Sequence, residues 1–382
     1  MTRNPPVAPE AELLCLCARG RPDASAIRRQ VAKGIDWPAF LALAKVHHLS
    51  SLSCRRLESA CAELVPREPL DALRHQFRRN VGRNLFLAGE LGRILRCLAA
   101  VNIRALAFKG PVLAWWLYDH PGVREFSDLD LLVDGCDLDR AIGLLGVLGY
   151  STRTGLNDKI LPSTHEISLF RTAPPAAVDL HWDLAPAEMG LGLDARHMLA
   201  RATTVLVAGR HVPTFGVEDQ LLFCAFHGGK HGWRNLACLA DLSALMETRP
   251  PDWPRVLAEA RRKHLSRALF TGLRLVHDLL GTPVPAEVRK PLERDRGSAA
   301  IAKRTRLLLL NGHAGRSLLP GELGDELGVT EGAFRKMRYL WRKIIEPTTQ
   351  DWERARSARP FRLMWKYAHR LAAGWSQAGS IG

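Results

Sequence analysis

Residues 106–133 read LAFKGPVLAWWLYDHPGVREFSDLDLLV, and the fold of the chain is decided here. Near the end of this stretch, Asp128-Leu129-Asp130-Leu131-Leu132-Val133 is a short apolar run carrying two carboxylates one residue apart. In an extended chain Asp128 and Asp130 project from one face, with Leu129 and Leu131 on the other. Two carboxylates on one face invite a divalent cation. Upstream, an apolar strand over residues 103–108 runs into Lys109-Gly110-Pro111 and then an apolar helix over residues 112–118. Proline suits the first helical position, and the amides of a helix N-terminus beside a lysine make an anion site. A phosphate-binding turn next to a metal-binding strand points to phosphoryl or nucleotidyl transfer.

Working outward, a helix over residues 138–148 ends at Gly149, and a more polar stretch follows to Ser163. Two alternating strands come next, over residues 165–171 and 178–182, joined by a hairpin connection at residues 172–177. Period-two alternation in Val178-Asp179-Leu180-His181-Trp182 puts Asp179 and His181 on one face. If this strand lies beside 128–133, three carboxylates converge, and such a set can hold two divalent ions about 4 Å apart. Like charges that close are unfavourable unless a cation sits among them. A single D-x-D also occurs on ordinary solvated strands, so the spacing alone leaves both readings open.

The flanks read as helical. Residues 10–100 carry apolar positions at helical spacing in two groups divided by Pro66 and Pro69, and from Ala185 to about Leu280 the chain again reads as mostly helical. Within the second region, Glu218-Asp219 leads into an apolar run ending His227-Gly228-Gly229-Lys230-His231. Cys224, His227 and His231 have a spacing that serves zinc, but Gly228 and Gly229 argue against a continuous helix there. The better expectation is that Glu218, Asp219, His227 and His231 line a nucleotide or acceptor pocket, or tie helices together, with Asp241 on the next helix orienting one of the histidines. Further on, residues 323–343 have the look of a helix-turn-helix with a basic second helix, a pattern that serves DNA binding or simply a solvated face. The divisions expected are 1–100 (helical), 101–185 (catalytic core), 186–285 (helical, substrate-binding) and 286–382 (basic, helical, with a flexible tail).

The 382 residues are 47% hydrophobic, enough to bury a large core without disulfides or structural metals. No run approaches the roughly 18–20 uninterrupted apolar residues of a membrane span, and the N-terminus lacks a signal-peptide pattern, so a soluble, cytoplasmic protein is expected. The eight cysteines are scattered without CxxC pairs. A formal net charge of +15 favours an anionic partner without saying which.

With Lys109-Gly110, Arg124, Ser127-Asp128-Leu129-Asp130 and Asp179 assembled, the chain resembles the nucleotidyltransferases of the DNA polymerase beta superfamily. More narrowly it resembles the bacterial uncharacterised nucleotidyltransferase family, with its KG turn, an arginine before a D-hydrophobic-D strand, a VDLHW-like strand (Val178 to Trp182), and an ED motif (Glu218-Asp219) followed by histidines (His227). That resemblance implies an α+β fold, a small mixed-sheet catalytic core flanked by N- and C-terminal helical regions. It implies Mg2+ or Mn2+ on Asp128, Asp130 and Asp179, with Asp179 as general base or orienting group. Lys109, the Gly110 amide, Arg124 and Ser127 would hold the triphosphate of a nucleoside triphosphate, with ATP the expected donor. His181 is read from its place on the strand, orienting Asp179, contacting a phosphate, or packing beside Trp182. The acceptor, whether small molecule, peptide, protein or RNA, is left open, as are base preference and oligomeric state. One departure stands out: the superfamily's Gly-Ser turn is Gly110-Pro111 here, without the serine hydroxyl. The alternative of a different class is a nucleic-acid-binding regulator using the basic C-terminal third, with a degenerate catalytic core.

Overall fold

A computed structural model of the chain describes residues 7–152, 165–185 and 194–310, together with Met189, Leu191 and Glu331. Five helices come first: α1 (Pro9–Cys17), α2 (Ala24–Val31), α3 (Trp37–Val46), α4 (Ser50–Cys61) and α5 (Arg67–Ala100). Asp23 and Asp36 cap α2 and α3 by accepting the Ala26 and Ala39 amides. Pro66 precedes α5 and Pro69 sits in its first turn, where a missing N–H costs nothing, so the two prolines begin this helix. Thirty-four residues long, α5 joins two cores. Leu70 and Leu73 pack among the N-terminal helices, whereas Leu87, Leu91, Ile94 and Leu98 pack against the sheet.

The sheet is built from β1 (Ala105–Ala107), β2 (Leu129–Val133), β3 (Glu166–Arg171) and β4 (Ala176–His181), in the order β1-β2-β4-β3. β1 and β2 run antiparallel, β2 and β4 parallel, β3 and β4 antiparallel. Between β1 and β2 lies α6 (Gly110–Tyr118), and α7 (Leu138–Val147) follows β2. Leu129, Leu131, Val133, Val178 and Leu180 face the core shared with α5 and α7. The other face of β2 is covered too, since Leu132 joins Phe108 and the helical core. With both faces covered, every residue of β2 is buried, and Asp130 is carried inside with them.

The second half holds α8 (Ala195–Ala200), β5 (Thr203–Val207), β6 (Arg210–Thr214), α9 (Val217–Lys230), α10 (Leu236–Thr248), α11 (Trp253–Arg262), α12 (Ser266–Leu280), α13 (Ala286–Arg294) and α14 (Arg296–Leu310). The resulting α+β architecture, a small mixed sheet flanked by helices, is the one the sequence leads one to expect. Two local expectations are corrected. The region after Ala185 is not helical throughout, because β5 and β6 pair as a two-stranded antiparallel hairpin. Thr203, Val205 and Val207 alternate with Thr204 and Leu206, and the two turn residues, Ala208 (φ 48°) and Gly209 (φ 76°), have the left-handed pair of a type I′ turn. Gly228 and Gly229 do not interrupt α9, which continues to Lys230. Gly228 is where α9 packs on Trp233: a Cβ there would come within 2.3 Å of the indole.

No helix among the described residues is long and apolar enough to cross a membrane. The helix-turn-helix reading of residues 323–343, and with it most of the basic C-terminal third, lies outside the described residues.

Candidate active site

The parallel pairing of β2 with β4 sets Asp130 directly beside Asp179, and the antiparallel pairing of β3 with β4 adds Ser168 opposite Asp179 and Glu166 opposite His181. Since in-register residues share a face, one side of the sheet carries Asp128 at the entry to β2, then Asp130, Asp179, His181, Glu166 and Ser168. Lys109, at the end of the β1 strand line, reaches this face. Its Nζ lies 2.5 Å from Asp130 Oδ1. Gly110 makes that approach work. Its φ of 46° is left-handed, and a Cβ there would stand 3.1 Å from the Asp128 carbonyl oxygen.

His181 sits between two acids, with Nε2 3.4 Å from Asp130 Oδ1 and Nδ1 3.1 Å from Glu166 Oε2. Its ring is edge-on to buried Phe108 at 5.0 Å, and His165 lies 3.6 Å from the same Glu166 oxygen. Hydroxyls steady the other two acids: Ser168 Oγ donates to Asp179 at 2.6 Å and Ser127 Oγ to Asp128 at 3.2 Å. Among the described residues, Asp128 and Asp179 have no cation within salt-bridge distance.

The electrostatics follow from that arrangement. Burial and the neighbouring Asp130 charge hold the Asp128 carboxyl above the usual aspartate range. Asp179 is raised too, by burial first and then by Asp130, Asp128 and Glu166, against the Ser168 hydrogen bond. Asp130 goes the other way. Burial opposes its ionisation, but the Lys109 ammonium and His181 outweigh it and hold the group well below the carboxylate range. Glu166 is likewise lowered, since His181, His165, Lys230 and Lys109 overcome its burial. Lys109 is raised, Asp130 overcoming the cost of burying the ammonium.

The C-terminal end of α9 closes over this face. Lys109 Nζ lies 5.8 Å from the Phe223 ring centre, and His227 stacks on Phe223 and meets His231 edge-on at 4.6 Å. Burial, then Lys109 and His231, keep His227 far below the ordinary imidazole range, so it is a neutral donor or acceptor there. Among the described residues, Cys224, His227 and His231 are not gathered closely enough to hold a metal ion. The Cys224 thiol accepts from the Gln220 amide, and burial pushes it up to about 12.

Other expected site residues are placed elsewhere. Glu218 and Asp219 lie at the opposite end of α9, about 12 Å along the axis from His227. Glu218 accepts the Asp252 amide, and Asp219 accepts two bonds from Arg201 at 2.7 and 2.9 Å, with Lys263 at 3.8 Å. Asp241 accepts from Arg124 Nε at 2.9 Å and from the Tyr118 hydroxyl at 3.0 Å. Arg124 therefore enters the site already paired, while its charge still acts on Asp128. Conversely, sequence reasoning passed over Glu166 and Lys230. The alternation His165-Glu166-Ile167-Ser168 signals Glu166 and Ser168 on one face of the hairpin, and pairing across it brings them to Asp179 and His181.

The sequence matches the uncharacterised nucleotidyltransferase family over residues 33–281, from α3 to the end of α12 and more than half of the chain. The chain belongs to that family. No curated protein matches it. As a member of the nucleotidyltransferase family it carries a domain for nucleotidyl transfer, and the carboxylate face lies within the matched span.

Do these residues fit a divalent cation? Among the described residues, no three His, Cys, Asp or Glu side chains are gathered closely enough to hold one by themselves. The donors are nevertheless hard carboxylate oxygens, and burial first, then the neighbouring carboxylates, raises the pKa values of Asp128 and Asp179. That chemistry suits magnesium, which is commonly bound by one or two carboxylates plus substrate phosphates rather than by an all-protein cage.

Proposed function

We propose that the protein is a metal-dependent nucleotidyltransferase, moving a nucleoside monophosphate from a nucleoside triphosphate, with ATP the expected donor, to a hydroxyl or phosphate acceptor. The observation that carries this reading is the β2–β4 register, which sets Asp130 beside Asp179 with Asp128 at the strand entry and Lys109 on Asp130. Asp128, Asp130 and Asp179 would hold Mg2+ or Mn2+, which supplies Lewis acidity at the phosphates and lowers the pKa of the attacking hydroxyl.

The remaining roles belong to the chain's own groups. Lys109 and the Gly110 amide, at the start of α6, stand where the phosphates are to be held. Asp179 accepts the acceptor's proton or orients its hydroxyl. The acceptor oxygen forms its bond to the α-phosphorus as the bond from that phosphorus to the bridging oxygen breaks, and pyrophosphate leaves. Ser127 and Ser168 orient Asp128 and Asp179. Arg124 adds positive charge from a position locked by Asp241, and His181 bridges Asp130 and Glu166. His227 and His231, at the end of α9, border the acceptor side. The proline at Gly110-Pro111 leaves phosphate binding there to backbone and lysine alone.

The test is calorimetric titration of the four nucleoside triphosphates, with and without magnesium, into wild type and Asp128→Ala/Asp130→Ala, with folding checked by circular dichroism. Magnesium-dependent binding of one triphosphate, lost in the folded double variant, is the expected result. A folded wild type that binds none of the four would sink the proposal.

A further inference from the structure

Away from the carboxylate face, a cavity of about 1150 Å3 opens between the last turns of α5, the start of β1, the end of α8 and the β5–β6 hairpin. Its arginines, Arg96, Arg104 and Arg210, all carry one sign and stand with His211, with no acidic residue among the described residues that line it. Arg104 spends one N–H on the Leu199 carbonyl at 3.4 Å. Among the described residues, no side-chain hydrogen bond or ion pair engages Arg96, Arg210 or His211, all exposed.

Two of these cations meet on α5. Arg210 lies against α5 at Gly92, whose missing side chain makes room: a Cβ there would stand 2.6 Å from Arg210 Nη1. Gly92 and Arg96 are four residues apart on one helix face, so the helix position that Arg210 meets lies about one turn from Arg96. Like charges gathered in one cleft are relieved by an anion between them. Planar guanidinium forks match phosphate oxygens in pairs. The rest of the lining includes Leu95 and Leu199, an apolar wall beside the charged one, and no aromatic ring on which bases would stack.

We propose that this cleft is a second ligand site, taking a phosphorylated small molecule with an apolar body. It is separate from the carboxylate face. Arg104 and Lys109 are five residues apart across β1, about 16 Å in extended chain, and the cleft opens at the Arg104 end. The volume is of the order of a small-molecule site, somewhat above the usual range of about 300–1000 Å3. This inference does not depend on nucleotidyl transfer, and its test needs no turnover.

The experiment uses the full chain in EDTA, so that a metal-dependent site is silent, with Lys109→Ala alongside wild type to remove the phosphate-holding lysine. Inorganic phosphate, hexyl phosphate and a single-stranded RNA dodecamer are titrated calorimetrically into both proteins and into Arg96→Glu/Arg210→Glu. Hexyl phosphate should bind wild type and Lys109→Ala alike, and several-fold more tightly than inorganic phosphate because of the buried methylenes. The charge-reversed variant, which changes two exposed side chains, should weaken binding by about tenfold or more. Equal affinity in that variant, loss in Lys109→Ala, or no binding by wild type would overturn the proposal. RNA binding tighter than hexyl phosphate and lost in the same variant would assign the cleft to nucleic acid instead.

Discussion

Two buried ionic clusters stand at opposite ends of α9, and they are built on opposite plans. At the N-terminal end, Asp219 is answered by Arg201 and Lys263, and Glu259 by Lys263 and Arg262, so each carboxylate has a cation within 4 Å. At the C-terminal end, Asp128, Asp130, Asp179 and Glu166 share one face, and among the described residues Lys109 is the lysine or arginine within salt-bridge distance of any of them, on Asp130. The first cluster is complete in the protein alone. The second carries surplus negative charge that folding does not neutralise, and burial together with that charge makes Asp128 and Asp179 hold on to protons more tightly. A closed ion network serves the fold, whereas an open one asks for a ligand.

The largest expected effect sharpens the closed side of that contrast. Asp219→Ala leaves Arg201 without its carboxylate and the fully buried Lys263 with Glu259 alone, and removal of one member of a buried pair costs about 3–5 kcal/mol. Urea denaturation should read that loss without any change in metal response. On the open side, magnesium and a triphosphate at about 100 times the dissociation constant should stabilise wild type by roughly 2.7 kcal/mol and leave Asp128→Asn/Asp130→Asn unmoved in a thermal melt.

A smaller effect has the opposite sign from most core substitutions. Asp128→Asn removes an ill-compensated charge, so without metal the variant should be more stable than wild type by about 1 kcal/mol at neutral pH. The sign follows from the raised pKa: ionised Asp128 costs stability above its folded-state value, and below the ordinary aspartate value of 3.8 both proteins carry a neutral group there. The advantage should therefore shrink to nothing as pH falls from 7 to below 3.8, followed by denaturant midpoints across that range. An advantage independent of pH would contradict the charge account. The smallest effect is Ser168→Ala, which frees Asp179 from one hydrogen bond worth about 1 kcal/mol and should weaken magnesium–triphosphate binding a few-fold while leaving the melt of the free protein nearly unchanged.

Much of the open cluster was legible because it obeys strand periodicity. Asp128 and Asp130 are two apart, Asp179 and His181 are two apart, and a sheet converts that spacing into one face. The KG turn was legible through its place between an apolar strand and an apolar helix opened by Pro111, whereas the left-handed Gly110 close to backbone emerged only in the structure. Glu166 was not, because its role depends on hairpin register, which alternation alone does not specify. Glu218-Asp219 and Asp241 read as pocket residues since acidic residues near histidines look functional in one dimension. The cations that close them, Arg201, Lys263 and Arg124, are 18, 44 and 117 residues away from their partners, beyond any local pattern. The β5–β6 hairpin was missed for another reason: its Ala208-Gly209 turn lacks the Asn or Asp that usually announces a type I′ pair.

The central claim, that the open carboxylate face becomes a cation site when a triphosphate joins it, is tested most directly by manganese paramagnetic resonance. Free Mn2+ is measured against wild type and Asp128→Asn/Asp130→Asn, each with and without a nonhydrolysable analogue of the preferred triphosphate. The account predicts weak Mn2+ binding by wild type alone, much tighter binding with the analogue present, and loss of that gain in the double variant. Equal Mn2+ binding by both proteins in the presence of the analogue would contradict it.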